Sequence, residues 1–329
     1  MSDDYQCVES GGPDRAGLVL DAAFDVTERL SGAVWGHLVG DAMGVPYEFG
    51  PPVLPADVEW GHQASYRPQP PGTWSDDGGL MLALLDSLVD AGFDPADQGR
   101  RALEWWQGDG YKPGPVFDIG LITRESLDRF RSGTPAELAG GADEHQNGNG
   151  SLMRILPVAL TGMAASDVEL IDMAMRASAL THRHPRARVT CAVYVLTARE
   201  LLRGERDRGA ALDRSFHSVA AHIGDAEKTE LGIIANYKNR SGSGYVVDCF
   251  WSAWDAFALS DCFEDTIRNA ISHGDDADTT AAVAGGLAGA YWGVSSIPSQ
   301  WLANMRGVEI VNAILRKLLI TLNPAGSLE

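Results

Sequence analysis

Residues 275–280 place three carboxylates and two hydroxyls within six positions, on Asp275, Asp276, Asp278, Thr279 and Thr280. The twelve residues that follow, 281–292, are apolar or small, which is typical of a buried helix. The acidic cluster therefore lies at the N-terminal end of that helix. Carboxylates this close repel one another and raise each other's pKa, and a divalent cation would relieve the repulsion. Hard cations take carboxylate and hydroxyl oxygens as ligands.

A second segment repeats this pattern, because Ser75, Asp76 and Asp77 precede the apolar run 80–88. A helix cap is the alternative explanation for either segment, since Ser, Thr and Asp are favoured capping residues. One cap requires only one such residue, however. Two such helix starts brought together would offer enough oxygen ligands for two divalent ions.

Three further segments carry polar residues whose role is open on local grounds. Glu48 follows a helix stop at Gly44 and Pro46, and the alternative is a solvated loop carboxylate. The glycine-rich residues 147–151 precede an apolar run, where backbone N–H groups could bind a phosphate, although such loops are also common turns. His182 and His184 are two apart, which does not match a helical zinc pair and favours surface or capping roles.

Composition excludes several classes of protein. The formal net charge of -19 argues against binding nucleic acid through its phosphate backbone. No signal peptide and no apolar run of membrane-spanning length is found, so we expect no membrane association and a cytoplasmic location. The four scattered cysteines lack metal-type spacing and are expected to be free thiols.

The periodicity predicts about a dozen helices, almost no strands and no internal repeat. The predicted helices include 25–44, 98–107, 166–180, 185–203, 245–259, 262–271 and 300–321, with a charged helix within 204–222. Residues 1–16 are expected to form a flexible tail. Residues 17–325 are expected to form one compact all-α domain of orthogonally packed helices, with a metal-lined cleft where the polar helix ends converge. The loops 50–72 and 132–146 are expected to shape specificity.

Six segments, taken in order, resemble the ADP-ribosylglycohydrolase family, typified by dinitrogenase reductase-activating glycohydrolase. They are Gly40–Phe49 (GDAMGVPYEF), Thr73–Asp77 (TWSDD), Asp118–Gly120 (DIG), Gly148–Arg154 (GNGSLMR), Thr181–Pro185 (THRHP) and Asp276–Ala282 (DADTTAA). The resemblance covers about residues 31 to 293. Each motif is weak alone, whereas six in the same order are specific.

The resemblance implies an all-α fold with a binuclear Mg or Mn centre in a cleft. It also implies a role for each matching residue. Ser75, Asp76, Asp77, Asp276, Asp278 and Thr279 would bind the metals, with Asp278 bridging them; Glu48 would lie near the metals; Asp118 would line the substrate pocket; Asn149, Gly150 and Ser151 would belong to the loop that holds the diphosphate; and His182 would lie near the ribose.

Three positions depart from the family pattern. Ser75 stands where threonine is more frequent, which keeps a hydroxyl. Gly78 and Gly79 replace the usual Thr-x pair, and Asp275 replaces a common glycine, adding charge beside the metals. No carboxylate ligand is lost, so the metal site remains expected. The departures concern which substrate fits over the metals.

The resemblance implies a metal-dependent hydrolase that cleaves the glycosidic bond between ADP-ribose and an acceptor, with Glu48, Asp76 and Asp77 as the catalytic residues. The motif containing Pro46 and Tyr47 favours arginine-linked ADP-ribose on a protein. The alternatives are a serine-linked or O-acetyl conjugate of ADP-ribose, or a protein that binds ADP-ribose without catalysis. A helical scaffold whose aspartates only cap helices is a further alternative from a different class.

Overall fold

A computed structural model of the protein describes residues 20–63 and 68–322. Within these ranges helices are the only extended regular structure, and only two isolated β-bridges occur, Gly141 with His182 and Gly148 with Tyr245. The α-helices are α1 (Leu20–Gly44), α2 (Asp76–Ala91), α3 (Pro95–Gln107), α4 (Leu121–Arg131), α5 (Ala136–Ala139), α6 (Leu156–Thr161), α7 (Asp167–Ala179), α8 (Pro185–Leu202), α9 (Arg208–His222), α10 (Asp225–Asn236), α11 (Val246–Ala258), α12 (Phe263–Ser272), α13 (Ala277–Trp292), α14 (Ser299–Ala303) and α15 (Val308–Leu322). The predicted all-α class is confirmed.

Most predicted helices are present with ends that shift by a few residues, and the differences have local causes. The predicted helix 300–321 is two helices, α14 and α15, because Gly307 adopts a left-handed φ of 64° between them. Helix α10 was missed, since only Leu231 and Ile234 of its side chains are buried and its apolar pattern is correspondingly thin. The segment expected as one loop, 132–146, contains the short helix α5.

Helices α1 and α13 form the closest helix pair of the fold. On α1, Gly32, Gly36, Gly40 and Gly44 recur every fourth residue and form one face. A Cβ atom built on Gly36 would lie 2.3 Å from the carbonyl oxygen of Gly285, so no larger side chain fits at this spacing. Small residues that allow two helix backbones to approach closely explain why 281–290 is rich in alanine and glycine.

The α1–α13 pair is antiparallel, and this direction places the polar helix ends together. Gly32 faces Gly289 near one end of the pair, whereas Gly44 faces Asp278 at the other, where its Cβ would lie 2.3 Å from the Asp278 Cα. The C-terminal end of α1, which leads to Glu48, therefore adjoins the N-terminal end of α13.

A contiguous apolar core surrounds α13, with α8, α11, α12 and α2 packed around it. No helix of the described chain combines the length and apolar character needed to cross a membrane. Cys191 and Cys249 are buried free thiols as expected, whereas Cys262 is disulfide-bonded, so the expectation of free thiols is wrong at that position. The predicted tail, residues 1–16, lies outside the described residues.

Candidate active site

A cavity of about 680 Å³ opens where the N-terminal ends of α2, α4 and α13 meet the loop 145–150. Nine of the residues predicted as site residues line this cavity, and they come from six separate parts of the chain. They are Glu48, Asp76, Asp77, Asp118, Asn149, Gly150, His182, Asp276 and Thr279. The other three predicted residues, Ser75, Asp278 and Ser151, lie behind this lining.

The start of α2 is held in place by Asp41, a fully buried residue of α1. Its carboxylate accepts hydrogen bonds from the N–H of Ser75 (2.9 Å) and of Gly78 (2.7 Å). Ser75 is the N-cap of α2, so the capping explanation is correct for this residue, and its hydroxyl also lies 3.1 Å from Asp77 Oδ2. Capping by Ser75 and Asp41 leaves Asp76 and Asp77 free to face the cavity.

The start of α13 is arranged differently. Asp276 occupies the N-cap position, but its side chain makes no capping hydrogen bond and instead accepts one from Asn149 Nδ2 at 2.9 Å. The hydroxyl of Thr279 lies 3.4 Å from Asp77 Oδ2, which brings the first and second predicted metal-binding segments into contact. Capping therefore does not account for the carboxylates of α13.

A third group of carboxylates joins the two helix ends. Glu48, Asp118 and Asp278 each offer an oxygen atom, and these atoms lie within 4.8 Å of one another. Asp118 has a left-handed φ of 68°, which is rare for a residue with a side chain. Strained backbone of this kind clusters at functional sites.

The carboxylates are electrostatically unfavourable to one another. Burial, followed by the charge of neighbouring carboxylates, raises the pKa of Asp76, Asp77 and Asp278 well above the usual range. Burial and then the nearby Asp118 raise the pKa of Glu48 to about 10. Such values describe a protein without bound cations, and a cation among these oxygens would favour the ionised forms.

The residues present fit a site for hard divalent cations. Two carboxylate oxygens, Asp77 Oδ1 and Asp278 Oδ2, are buried and have no hydrogen-bond partner among the described residues. Buried polar atoms almost always have a partner, so these two require one. Among the described residues, none that lines the cavity is a Lys or Arg that could supply the positive charge. Oxygen-only ligands of this kind suit Mg²⁺ or Mn²⁺ better than softer metals.

His182 lies against the glycine-rich loop. It is 2% exposed, and its Nδ1 lies 2.9 Å from Thr181 Oγ1, which also accepts a hydrogen bond from Arg154. Burial and then Arg154 lower the pKa of His182 to about 3, so the ring is neutral. A Cβ at Gly150 would lie 2.9 Å from the His182 Cε1 atom, which explains why glycine stands at this position.

Ser151 belongs to this loop, but its side chain does not face the cavity. Its side chain is fully buried, with its Oγ 2.8 Å from Ser178 Oγ and 3.5 Å from Cys191 Sγ. The hydroxyl therefore belongs to the core and does not face the cavity. The backbone N–H groups of Gly150 and Ser151 pair with no acceptor in the described parts of the chain, so the loop could still bind an anion through its backbone.

Two of the departures from the family pattern have a structural reason. A Cβ on Gly79 would lie 2.1 Å from Trp105 Nε1, so packing of α3 against α2 requires glycine there. The side chain of Asp275 is exposed and does not line the cavity, contrary to the expectation that it adds charge beside the metals. Its backbone instead pairs with Phe49 and Gly50.

Sequence reasoning missed a carboxylate that organises the loop before α11. Asp248 is fully buried and accepts hydrogen bonds from the N–H and hydroxyl groups of both Ser241 and Ser243. These bonds outweigh burial and lower the pKa of Asp248, which keeps it ionised. The segment 241–244, which reads as a flexible Ser-Gly linker, is therefore held in one conformation.

This ordered segment in turn holds two predicted site residues. The carbonyl oxygen of Gly242 accepts a hydrogen bond from the N–H of Asp276 (2.9 Å), and that of Gly244 accepts one from the N–H of Asn149 (2.9 Å). Asp248 therefore positions both residues through backbone contacts alone. The one sign of this role in the sequence is that Asp248 is an acid within an apolar helical segment. The same is true of Asp41.

Comparison with known proteins identifies relatives over nearly the whole chain. The family model "ADP-ribosylglycohydrolase" matches residues 23–326. The chain is 31% identical to ADP-ribosylarginine hydrolase Tri1 of Pseudomonas putida (strain GB-1), over 88% of this chain and 78% of that protein. It is 30% identical to ADP-ribosyl-[dinitrogen reductase] glycohydrolase of Rhodospirillum rubrum, over 85% of this chain and 91% of that protein.

A solved structure described as an ADP-ribosylglycohydrolase-related protein complex superimposes with a TM-score of 0.75 and is 33% identical in sequence. The match covers 91% of this chain and 99% of the other. Sequence and fold thus agree over nearly the whole length. The chain therefore belongs to the ADP-ribosylglycohydrolase family.

Proposed function

We propose that the protein is a hydrolase that releases ADP-ribose from an arginine side chain of a modified protein, with two divalent cations, Mg²⁺ or Mn²⁺, in its site. The convergence of six carboxylates on one cavity carries this proposal. The arginine linkage is supported by the similarity to a protein named ADP-ribosylarginine hydrolase. The broader assignment, a hydrolase acting on ADP-ribose conjugates, rests on the family.

The cavity has room and polarity for ADP-ribose. Its volume of about 680 Å³ is ordinary for a small-molecule site. The diphosphate would accept a hydrogen bond from the N–H group of Gly150 at one end. The ribose would then lie towards Asp76, Asp77 and Asp276 at the other end. Binding of the diphosphate would orient the anomeric carbon at the carboxylates.

The cations would be held by Ser75, Asp76, Asp77, Asp276, Asp278 and Thr279, and when bound they would neutralise the carboxylates and orient the ribose hydroxyls. Glu48 or Asp76 would hold the attacking water and accept its proton. The bond from the anomeric carbon to the arginine nitrogen breaks through an oxocarbenium-like state. The surrounding carboxylates stabilise the positive charge that develops on the ribose. The leaving guanidine takes up a proton and departs as the cation.

The proposal is tested by incubating an arginine-ADP-ribosylated protein with the enzyme in Mg²⁺, in Mn²⁺ and in chelator, and measuring free ADP-ribose. We expect release with a metal and none with chelator. Serine-linked and O-acetyl conjugates are assayed in parallel. Release from one of these alone would replace the arginine linkage. If ADP-ribose raises the melting temperature but no conjugate is cleaved, the protein is a non-catalytic binder instead.

A further inference from the structure

A second cavity of about 740 Å³ adjoins the candidate active site. Glu48 and Phe49 line both cavities, so this one short loop forms their common wall. The other lining residues of the second cavity are Pro46 and Tyr47, just before this loop, and members of the segment from Gly50 to Gln63. In the proposed reaction the anomeric carbon lies near Glu48. The group attached to that carbon therefore adjoins the second cavity, which Glu48 also lines.

The second cavity has the chemistry of a cation site. Its lining includes the carboxylates of Glu48 and Asp57 and contains no Lys or Arg among the described residues. The rings of Tyr47 and His62 are stacked, with centroids 4.4 Å apart and planes at 17°. A planar guanidinium stacks on aromatic rings and pairs with carboxylates better than other cationic groups do.

Hydrogen bonds hold part of the wall of the second cavity in place. The Tyr47 hydroxyl accepts a hydrogen bond from the N–H of Glu59 at 2.8 Å, which fixes the segment that carries Asp57. Val58 is fully buried, and its carbonyl oxygen accepts a hydrogen bond from Arg268. The guanidinium of Arg268 also pairs with Glu264, so this cation lies behind the wall with its charge already compensated.

Phe49 occupies the boundary between the two cavities in an unusual conformation. Its φ is 56°, a left-handed value that is costly for a bulky residue, and its side chain is 61% exposed. Two backbone hydrogen bonds hold it there, from Phe49 N–H to the Asp275 carbonyl oxygen (2.6 Å) and from Asp275 N–H to that of Gly50 (3.0 Å). The strained backbone thus places the Phe49 side chain at the point where the cavities meet.

From this geometry we infer that the second cavity is the acceptor subsite, and that it binds the arginine side chain that carries the ADP-ribose. Asp57 pairs with the guanidinium, and the exposed ring of Phe49 stacks on its face. The inference rests on the proposed function, because it concerns the leaving group of that reaction. It adds the residues that select a cationic acceptor over a neutral one.

The test compares wild-type protein with Asp57→Asn and Phe49→Ala on two substrates, an arginine-linked ADP-ribosyl peptide and O-acetyl-ADP-ribose, whose acceptor is neutral. We expect Asp57→Asn to lower kcat/KM for the arginine-linked peptide about tenfold, the loss typical of one charged hydrogen bond. Phe49→Ala should lower it about threefold. The rate on O-acetyl-ADP-ribose and the Kd of free ADP-ribose should not change in Asp57→Asn.

Glu59→Gln is the matched control, because Glu59 is an exposed acid on the same loop that does not line the cavity. It removes the same charge and should leave both substrates unaffected. If Asp57→Asn cleaves the arginine-linked peptide as fast as wild type does, the subsite assignment is wrong while the enzyme assignment stands. If wild-type protein cleaves neither substrate with Mg²⁺ or Mn²⁺, the proposed function itself is wrong. The assignment of the acceptor subsite is then wrong as well, because it depends on that function.

Discussion

Asp77 and Asp278 each keep one buried carboxylate oxygen that no donor in the described chain satisfies. A fold tolerates such atoms when a ligand supplies the missing partner, and a cation is the partner that carboxylates demand. These two residues therefore make opposite contributions to stability and to function. In the absence of a cation they cost free energy, and in its presence they would bind it.

Asp278→Asn separates these contributions. We expect it to abolish hydrolysis, because one of the residues that would hold the cations is lost. The metal-free variant should be more stable than metal-free wild type by about 1–3 kcal/mol, since a buried carboxyl group with an unpaired oxygen beside other carboxyl groups is removed. Adding Mg²⁺ or Mn²⁺ should raise the melting temperature of wild type and not that of the variant.

Asp225→Asn provides the control, because Asp225 is a fully exposed carboxylate in the first turn of α10. It should respond to metal as wild type does. A fully active Asp278→Asn protein whose melting temperature still rises with metal would contradict the assignment of this residue.

Ser151 and Asn149 belong to the same loop but should behave differently. Ser151→Ala removes a hydroxyl that bonds within the core, so we expect a loss of about 1 kcal/mol of stability and no change in KM. Asn149→Ala removes the amide that orients Asp276, so we expect lower kcat and weaker metal binding. Steady-state kinetics with thermal denaturation distinguishes the two. A raised KM in Ser151→Ala would show that the Ser151 hydroxyl contacts the substrate after all.

Among the helices, the α1–α13 contact is the element that assembles the site. A Cβ at Gly289 would lie 1.9 Å from the carbonyl oxygen of Gly32, so the helices must move apart to accept it. We expect Gly289→Ala to lower the free energy of unfolding by about 1–3 kcal/mol. Activity should fall as well, since α13 carries Asp276 and Asp278.

Gly232→Ala is the matched control for this substitution, because it lies within helix α10 and a Cβ there would meet nothing within 4 Å. Alanine favours the helix more than glycine does, so stability should rise by about 0.5–1 kcal/mol. Chemical denaturation measures both variants. If Gly289→Ala is as stable as wild type, the close approach does not constrain the fold as described.

Asp248→Asn tests the segment 241–244 as a positioning element. Asn offers one acceptor oxygen in place of two, so part of the network from Ser241 and Ser243 is lost. We expect about a tenfold loss in kcat/KM and in apparent metal affinity, because Asp276 is held through Gly242. Titration with Mg²⁺ or Mn²⁺ at fixed substrate measures the second quantity.

Asp255→Asn, on the same helix α11, is the comparison variant, because Asp255 pairs with Arg240 and not with the serines of 241–244 that Asp248 binds. It should lose stability without losing metal affinity. If Asp248→Asn and wild type bind the metal with equal affinity, Asp248 stabilises the fold but does not position Asp276.

For the molecule as a whole, a network of charges far from the cavity ties α15 to α2 and α3. Arg101 contacts Asp86, Asp97 and Asp90, and Lys317 lies 2.8 Å from Asp86 Oδ1. Burial opposes ionisation of Asp97, but its hydrogen bonds outweigh burial and lower its pKa below the usual value. Lys317 and then Arg101 lower the pKa of Asp90 in the same direction.

Lowered pKa values give this network a defined pH dependence. The stability it contributes is fully present above the ordinary aspartate pKa of 3.8 and is lost as pH falls through the lower folded values. Arg101→Met should destabilise the protein by about 3 kcal/mol at pH 7, because buried carboxylates lose their partner. The difference from wild type should shrink below about pH 4, where the carboxylates become protonated.

Urea denaturation of both proteins between pH 3 and pH 8 measures this dependence. The variant should keep its kcat at neutral pH, since the network lies outside the cavity. A destabilisation that stays constant down to the acid limit would show that Arg101 acts through packing and not through charge.

The sequence by itself determined the fold class and most of the candidate site. Helical periodicity and the absence of strand patterns are local properties, so the all-α class followed directly. Nine of the twelve predicted site residues line one cavity. Several of them are acids that directly precede an apolar helical segment, and this position alone places them at the end of a buried helix. The six ordered motifs also predicted the family to which the chain belongs.

Only the tertiary structure decided which polar groups face the cavity. Ser151 belongs to a helical turn whose orientation depends on α7 and α8, and no local pattern encodes that orientation. The role of Asp41 likewise depends on donors that are 34 or more residues away. The role of Asp248 depends on a loop whose Ser-Gly composition is typical of a flexible segment. The second cavity arises between segments that are contiguous in sequence, yet its shape depends on the pairing of Phe49 with Asp275. Periodicity reports how one segment buries its own face, whereas these contacts depend on how distant segments meet.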